Sequence, residues 1–267
     1  MRTRRERVPE STVDIRKNRK KRGRGRRRRL LFLVLGAVLV IAAVFAVRSR
    51  KKQSTVPAWI PMEGEYPVSM LEFMEKYPQA TDFVMAFPEK KDLHPKIDIT
   101  EDVRQGGVPL FLQWDERWGY EIYGDDFLGV NGCGPTSLSM VQCGLSGDTK
   151  WNPYEVAKMA DENGYYVSGV GSSWELMDAG ARQMGLQVSE VPFSAEGIVD
   201  TLRSGRLIIC SMGPGEFTYS GHFVVLTGVD DDGRIFLNDS NSRERSQQTW
   251  DADYLLSQAV AMWAYSY

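Results

Sequence analysis

Histidine and cysteine are scarce in this sequence, at two and three residues among 267. Cys133, Cys143 and Cys210 leave one over in any pairing, so they make no disulfide framework. If a helix joins Cys133 to Cys143, their separation is roughly 15 Å along the axis, beyond the reach of a bridge. There is no Cys-x-x-Cys, and His94 and His222 are the only histidines. A zinc site is therefore not expected, and no metal or cofactor is called for. Internal repeats are missing too, as are low-complexity tracts beyond a basic head. Gly169 and Gly171 lack both the preceding strand and the full spacing of a nucleotide loop.

The net charge of −2 conceals a sharp division. Residues 1–29 hold 15 Lys/Arg and three acids, and residues 48–52 add four basic groups. Everything after them carries 14 basic and 32 acidic residues. Such a polycation and polyanion cannot be one domain. Between them, residues 30–47 read LLFLVLGAVLVIAAVFAV, without a charge or a polar face. Eighteen such residues are close to the lower limit for a bilayer span, where about 20 are typical. The run exceeds the roughly 7–15 apolar residues of a signal peptide, and no clean A-x-A site precedes Arg48. The expectation is an uncleaved, single-pass transmembrane helix in the cell membrane. The positive-inside rule then keeps the N-terminus cytoplasmic and sends the body across. The basic run has no interleaved aromatics and abuts the span, so it serves topology and anionic lipid, and no nucleic-acid partner is expected.

Residues 48–66 read as a linker, and 67–107 as an N-terminal helical extension whose two short elements, PVSMLEFMEKYP and TDFVMAF ending at Pro88, must pack on the body. In the body, 108–267, Asn152-Pro153-x-Glu155 caps a helix that stops at Gly164. Ser172-x-x-Glu175 reads as a capping box for a helix to about Met184, stopped by Gly185. A further helix spans roughly 195–204 and ends at Gly205. Then the period changes to two: strands at 207–210, 222–229 and 234–239, with 259–265 available to close the sheet. Helices followed by an antiparallel sheet argue for α+β.

Candidate chemistry begins at Asn131-Gly132-Cys133-Gly134-Pro135-Thr136. Proline suits the first helical position, so Cys133 should lie just before a helix N-terminus. Unpaired N–H groups and the helix dipole there favour a thiolate. The flanking glycines would leave room for a substrate backbone. The ordinary alternative is a small buried hydrophobe, and Cys143 and Cys210 read that way. A thiol nucleophile needs a base and a group to orient it. His94, in Leu-His-Pro, reads as a surface residue, which leaves His222. In a hairpin turning over Asp230–Gly233, facing residues sum to 463, so His222 and Asp239 share a face while Asn238 points away. An odd loop or a bulge would exchange Asp239 and Asn238.

Gln113, Cys133-Gly134-Pro135-Thr136, Gly221-His222-Phe223-Val224-Val225-Leu226-Thr227-Gly228 and Asn238-Asp239-Ser240 resemble cysteine peptidase family thirty-nine-like domains, over roughly residues 108–265. These are relatives of the bacteriocin-leader peptidases. The resemblance implies a papain-like fold, with Cys133 as nucleophile, His222 as general base, Asp239 orienting it and Gln113 donating to the oxyanion hole with the Cys133 N–H. It departs from the family where Asp-Pro is common and Asp239-Ser240 stands here. The leader peptidases are fused to transporters and this chain is not, so their leader specificity does not carry over. The implied activity is a membrane-anchored extracytoplasmic peptidase acting on a peptide or protein substrate, possibly cell-wall associated. The same thiol chemistry would serve a cell-wall transpeptidase or amidase, and the same fold a non-catalytic peptide-binding module.

Overall fold

A computed structural model describes residues 56–267; the expected basic tail and anchor at 30–47 lie outside them. Among the described residues no helix is long and apolar enough to cross a membrane. Among the described residues four helices run to nine residues or more: α1 Val68–Lys76, α2 Cys133–Ser146, α3 Pro153–Glu162 and α4 Ala195–Arg203. The described part of the expected linker is not a free tether. Ile60 is buried, and Met62–Glu63 pairs with Tyr66–Pro67.

The extension follows its hydrophobic spacing. Met70 and Phe73 are the buried face of α1, and they join Phe83, Val84 and Phe87 in one cluster. That cluster is completed by Leu112, Trp114, Tyr120 and Phe127 from the body, as its small size requires. The Phe83 ring stacks on Tyr120, whose hydroxyl donates to the Phe83 carbonyl at 2.7 Å. Pro88 does not end the second element; it sits in the first turn of a further short helix, Phe87–Lys90. Proline is tolerated there because its missing N–H would have no partner anyway.

Apart from the start of the Cys133 helix, the helix signals of the body are realised with one exception. Asn152 Oδ1 accepts from the Tyr154 and Glu155 N–H groups, and Ser194 Oγ accepts from Gly197 N–H. Gly164, Gly185 and Gly205 take the positive φ that a helix stop needs. Ser172 is the exception. It lies in a short strand paired with Tyr166, its hydroxyl bonds to Tyr123 Oη at 2.7 Å, and the following helical stretch contains a π-turn at Leu176–Gly180.

The main sheet has six strands: β1 Gln187–Glu190, β2 Leu207–Met212, β3 His222–Val229, β4 Ile235–Asp239, β5 Thr249–Trp250 and β6 Ala259–Ser266. Their order is β5-β4-β3-β2-β6-β1, and every pairing is antiparallel. The tail strand lies inside the sheet because β1, a strand with little apolar character, pairs on its outer side. Every residue of β2 is buried. Both faces are covered, Ile209, Phe223 and Val225 packing with α2 and α3, and Ile208, Cys210 and Val224 with α4 and the helix Ala252–Leu256. The fold is thus a mixed helix-and-sheet structure with helices on both sides of an antiparallel sheet.

Candidate active site

Cys133 is the first residue of α2, two residues earlier than its proline implied, so Pro135 occupies the third position. A short helical turn, Leu128–Asn131, leads into it. The glycines serve packing: a Cβ on Gly132 would strike the Leu128 carbonyl oxygen, and one on Gly134 would strike Ser172. The N–H groups of the first helical turn have no partner inside the helix. Cys133 itself is half-buried at a cleft, whereas Cys143 and Cys210 are buried, and burial pushes both of those thiols up to about 12.

His222 opens β3 and Asp239 closes β4. The hairpin between them has a three-residue loop, since Asp230 N–H donates to Arg234 O and Ile235 faces Val229. A bulge then shifts the register between Phe236 and Leu237, so that Asp239 faces Val224. Each irregularity alone would exchange the two candidate partners; together they cancel. His222 Nε2 donates to Asp239 Oδ1 at 2.7 Å. Asn238 points away and donates to the carbonyls of Val108 and Pro109.

With Nε2 committed to Asp239, Nδ1 is left for Cys133, whose side chain interacts with the ring. Burial disfavours the cationic ring, but the charge and hydrogen bond of Asp239, with Cys133 beside it, push His222 up to about 10. Burial also opposes the charge of Asp239. The histidine, then Arg245 and the Asn241 N–H, hold its carboxyl below the usual range. The arrangement favours an imidazolium held between Asp239 and Cys133.

Gln113 lines the same cleft as Cys133. Its Nε2 donates to the Gly129 and Val130 carbonyls, and its Oε1 accepts from Ser240 Oγ at 3.0 Å. The amide therefore ties the approach to Cys133 to the turn after Asp239. His94 stands on the surface, Nδ1 2.7 Å from Glu121 Oε1.

Three residues have roles that the sequence did not assign. Arg245 Nε donates to Asp239 Oδ2 at 2.6 Å. Ser240, where proline is common in the resembled family, supplies the hydroxyl that holds Gln113. Asn241 donates its backbone N–H to Asp239 Oδ1 at 2.8 Å. An Asn-Asp-Ser-Asn-Ser turn announces backbone-bonding side chains, yet nothing local indicates where they point. The cleft has two arms that meet at Cys133 and His222. One is lined by Tyr77, Thr218, Tyr219 and Asn241, the other by Tyr166, Val170, Trp174 and Phe223. Among the described residues no group of three or more His, Cys, Asp or Glu could hold a metal ion.

Residues 106–267 match the model of the "Peptidase_C39 like family". The chain belongs to the peptidase C39-like family. Membership supports a cysteine peptidase-like function. Two solved structures are similar. One, described as a C39-like peptidase from Bacillus anthracis, is 18% identical over 60% of this chain and 94% of its own, with a TM-score of 0.38. The other is the peptidase domain of Streptococcus ComA, a bi-functional ABC transporter involved in quorum sensing. It is 12% identical over 51% of this chain and 91% of its own, with a TM-score of 0.39. Such likeness carries no argument about chemistry. No curated protein matches the chain.

Proposed function

We propose that this C39-like protein is a membrane-anchored extracytoplasmic cysteine peptidase that hydrolyses peptide bonds through Cys133, His222 and Asp239. The observation that carries the reading is the His222 Nε2–Asp239 contact of 2.7 Å in a cleft shared with Cys133. Cys133 Sγ attacks the substrate carbonyl as thiolate, and the His222 imidazolium gives its proton to the departing amine. The resulting thioester is cleaved by water, whose proton His222 takes, and the acid leaves with Cys133 restored. Negative charge on the substrate oxygen is met by the Cys133 N–H at the start of α2. Gln113 would donate to that oxygen only by releasing a carbonyl it now holds; otherwise it acts by fixing the helical turn before Cys133.

A thiol-directed peptidase probe should label the purified protein at Cys133. His222→Ala should slow labelling by about a hundredfold, the usual worth of a positioned base. Equal rates would dismiss the assignment. The mass of products released from peptide and amine-bearing wall fragments separates hydrolysis from transfer to an amine.

A further inference from the structure

The family-matched stretch begins at residue 106, yet one arm of the cleft is walled by residues before it. Glu72 and Lys76, four apart and so on one face of α1, line that arm together with Tyr77. Neither charge has an ion-pair partner among the described residues. The wall is fixed in place. Gln79 Oε1 accepts from the Arg243 N–H at 3.0 Å, and Gln79 Nε2 donates to Ser242 Oγ at 3.3 Å. These bonds join the extension to the turn that follows Asp239.

Asn241, 5% exposed, lines the same arm, and its side chain interacts with the Tyr77 hydroxyl, which holds that ring on the wall. The opposite arm presents the exposed Trp174 and Val170. A peptide lying through both arms has its scissile bond where they meet, at Cys133 and His222.

We propose that the extension is half of the substrate site. Glu72, Lys76 and Tyr77 form a subsite for polar or charged side chains on one side of the scissile bond. The arm around Trp174 takes the residues on the other side. This inference rests on the peptidase reading.

The test is cleavage of a peptide library varied at all positions, read by mass spectrometry, with the wild-type chain and the variants Glu72→Lys, Lys76→Glu and Trp174→Ala. Glu72→Lys should raise the preference for acidic residues, and Lys76→Glu that for basic ones, each by about three- to tenfold. Both shifts should fall on the same side of the cut, and Trp174→Ala should alter only the other. Glu72 and Lys76 are exposed, and an unchanged thermal midpoint checks that their variants fold. Wild-type preferences in both charge variants would overturn the subsite and leave the peptidase reading standing. A wild-type protein that cuts no member of the library would remove both.

Discussion

At the scale of the residue, Asp239 is held from three directions: His222 and the Asn241 N–H on one oxygen, Arg245 on the other. Arg245 never approaches Cys133 in sequence and acts on the chemistry only through Asp239, so it is a positioning residue. After His222, whose effect is larger, it holds the carboxyl below its usual range. The sign follows directly. Asp239 has a lowered value, so its support of the site is present above the ordinary carboxylate range and is lost as pH falls through the folded value. His222 is raised to about 10, so the imidazolium persists until pH climbs past that value. Arg245→Ala should lower kcat/KM at neutral pH by about tenfold, the worth of one charge-assisted hydrogen bond. It should also move the acid limb of the profile upward, and Arg245→Lys should partly restore it. A drop in activity at every pH with an unmoved limb would mean that Arg245 matters only for packing.

At the scale of the element, the nucleophile depends on how closely α2 is approached by its surroundings. Gly134 admits Ser172, itself held by Tyr123, and Gly132 admits the Leu128 carbonyl. Gly134→Ala should destabilise the protein by about 1–3 kcal/mol, the range for forcing a methyl into a packed site. Ser172→Gly in the same chain should recover part of it, because the obstructing side chain is then gone. Gly132→Ala should find no such relief, since a backbone oxygen cannot be trimmed. Urea unfolding of the single and double variants measures this; equal loss for Gly134→Ala with and without Ser172→Gly would refute the contact. The glycines were legible as a pattern, but their purpose was not. A glycine in sequence signals that something comes close without saying from which segment.

At the scale of the whole molecule, the chain divides by charge, with a basic head of 1–29 and an acidic body. The proposed topology rests on that division around residues 30–47. A reporter fused after Tyr267 should be active outside the cytoplasm; activity confined to the cytoplasm would reverse the orientation. The extension belongs with the body, sharing an aromatic cluster that neither could bury alone. Its role as a cleft wall was not visible from PVSMLEFMEKYP, because a helix pattern reveals which face is buried and not what the exposed face overlooks.

The sequence by itself determined what depends on neighbours a few residues apart: the Asn152 cap, the glycine stops, the strands expected at 207–210, 222–229 and 234–239, each met to within two residues, and a helix opening within two residues of Cys133. It also placed His222 and Asp239 on one face, although it did so through a regular hairpin, whereas the real one reaches the same register by an odd loop and a compensating bulge. Only the tertiary structure decided the contacts of large sequence separation. Ser240 fastens Gln113, Gln79 binds the turn after Asp239, and Tyr77 at the end of α1 lines one arm of the cleft with Asn241. Backbone geometry carries periodicity and capping over one or two turns. Which distant polar groups become partners depends on what burial brings together, and that is settled when the whole core packs.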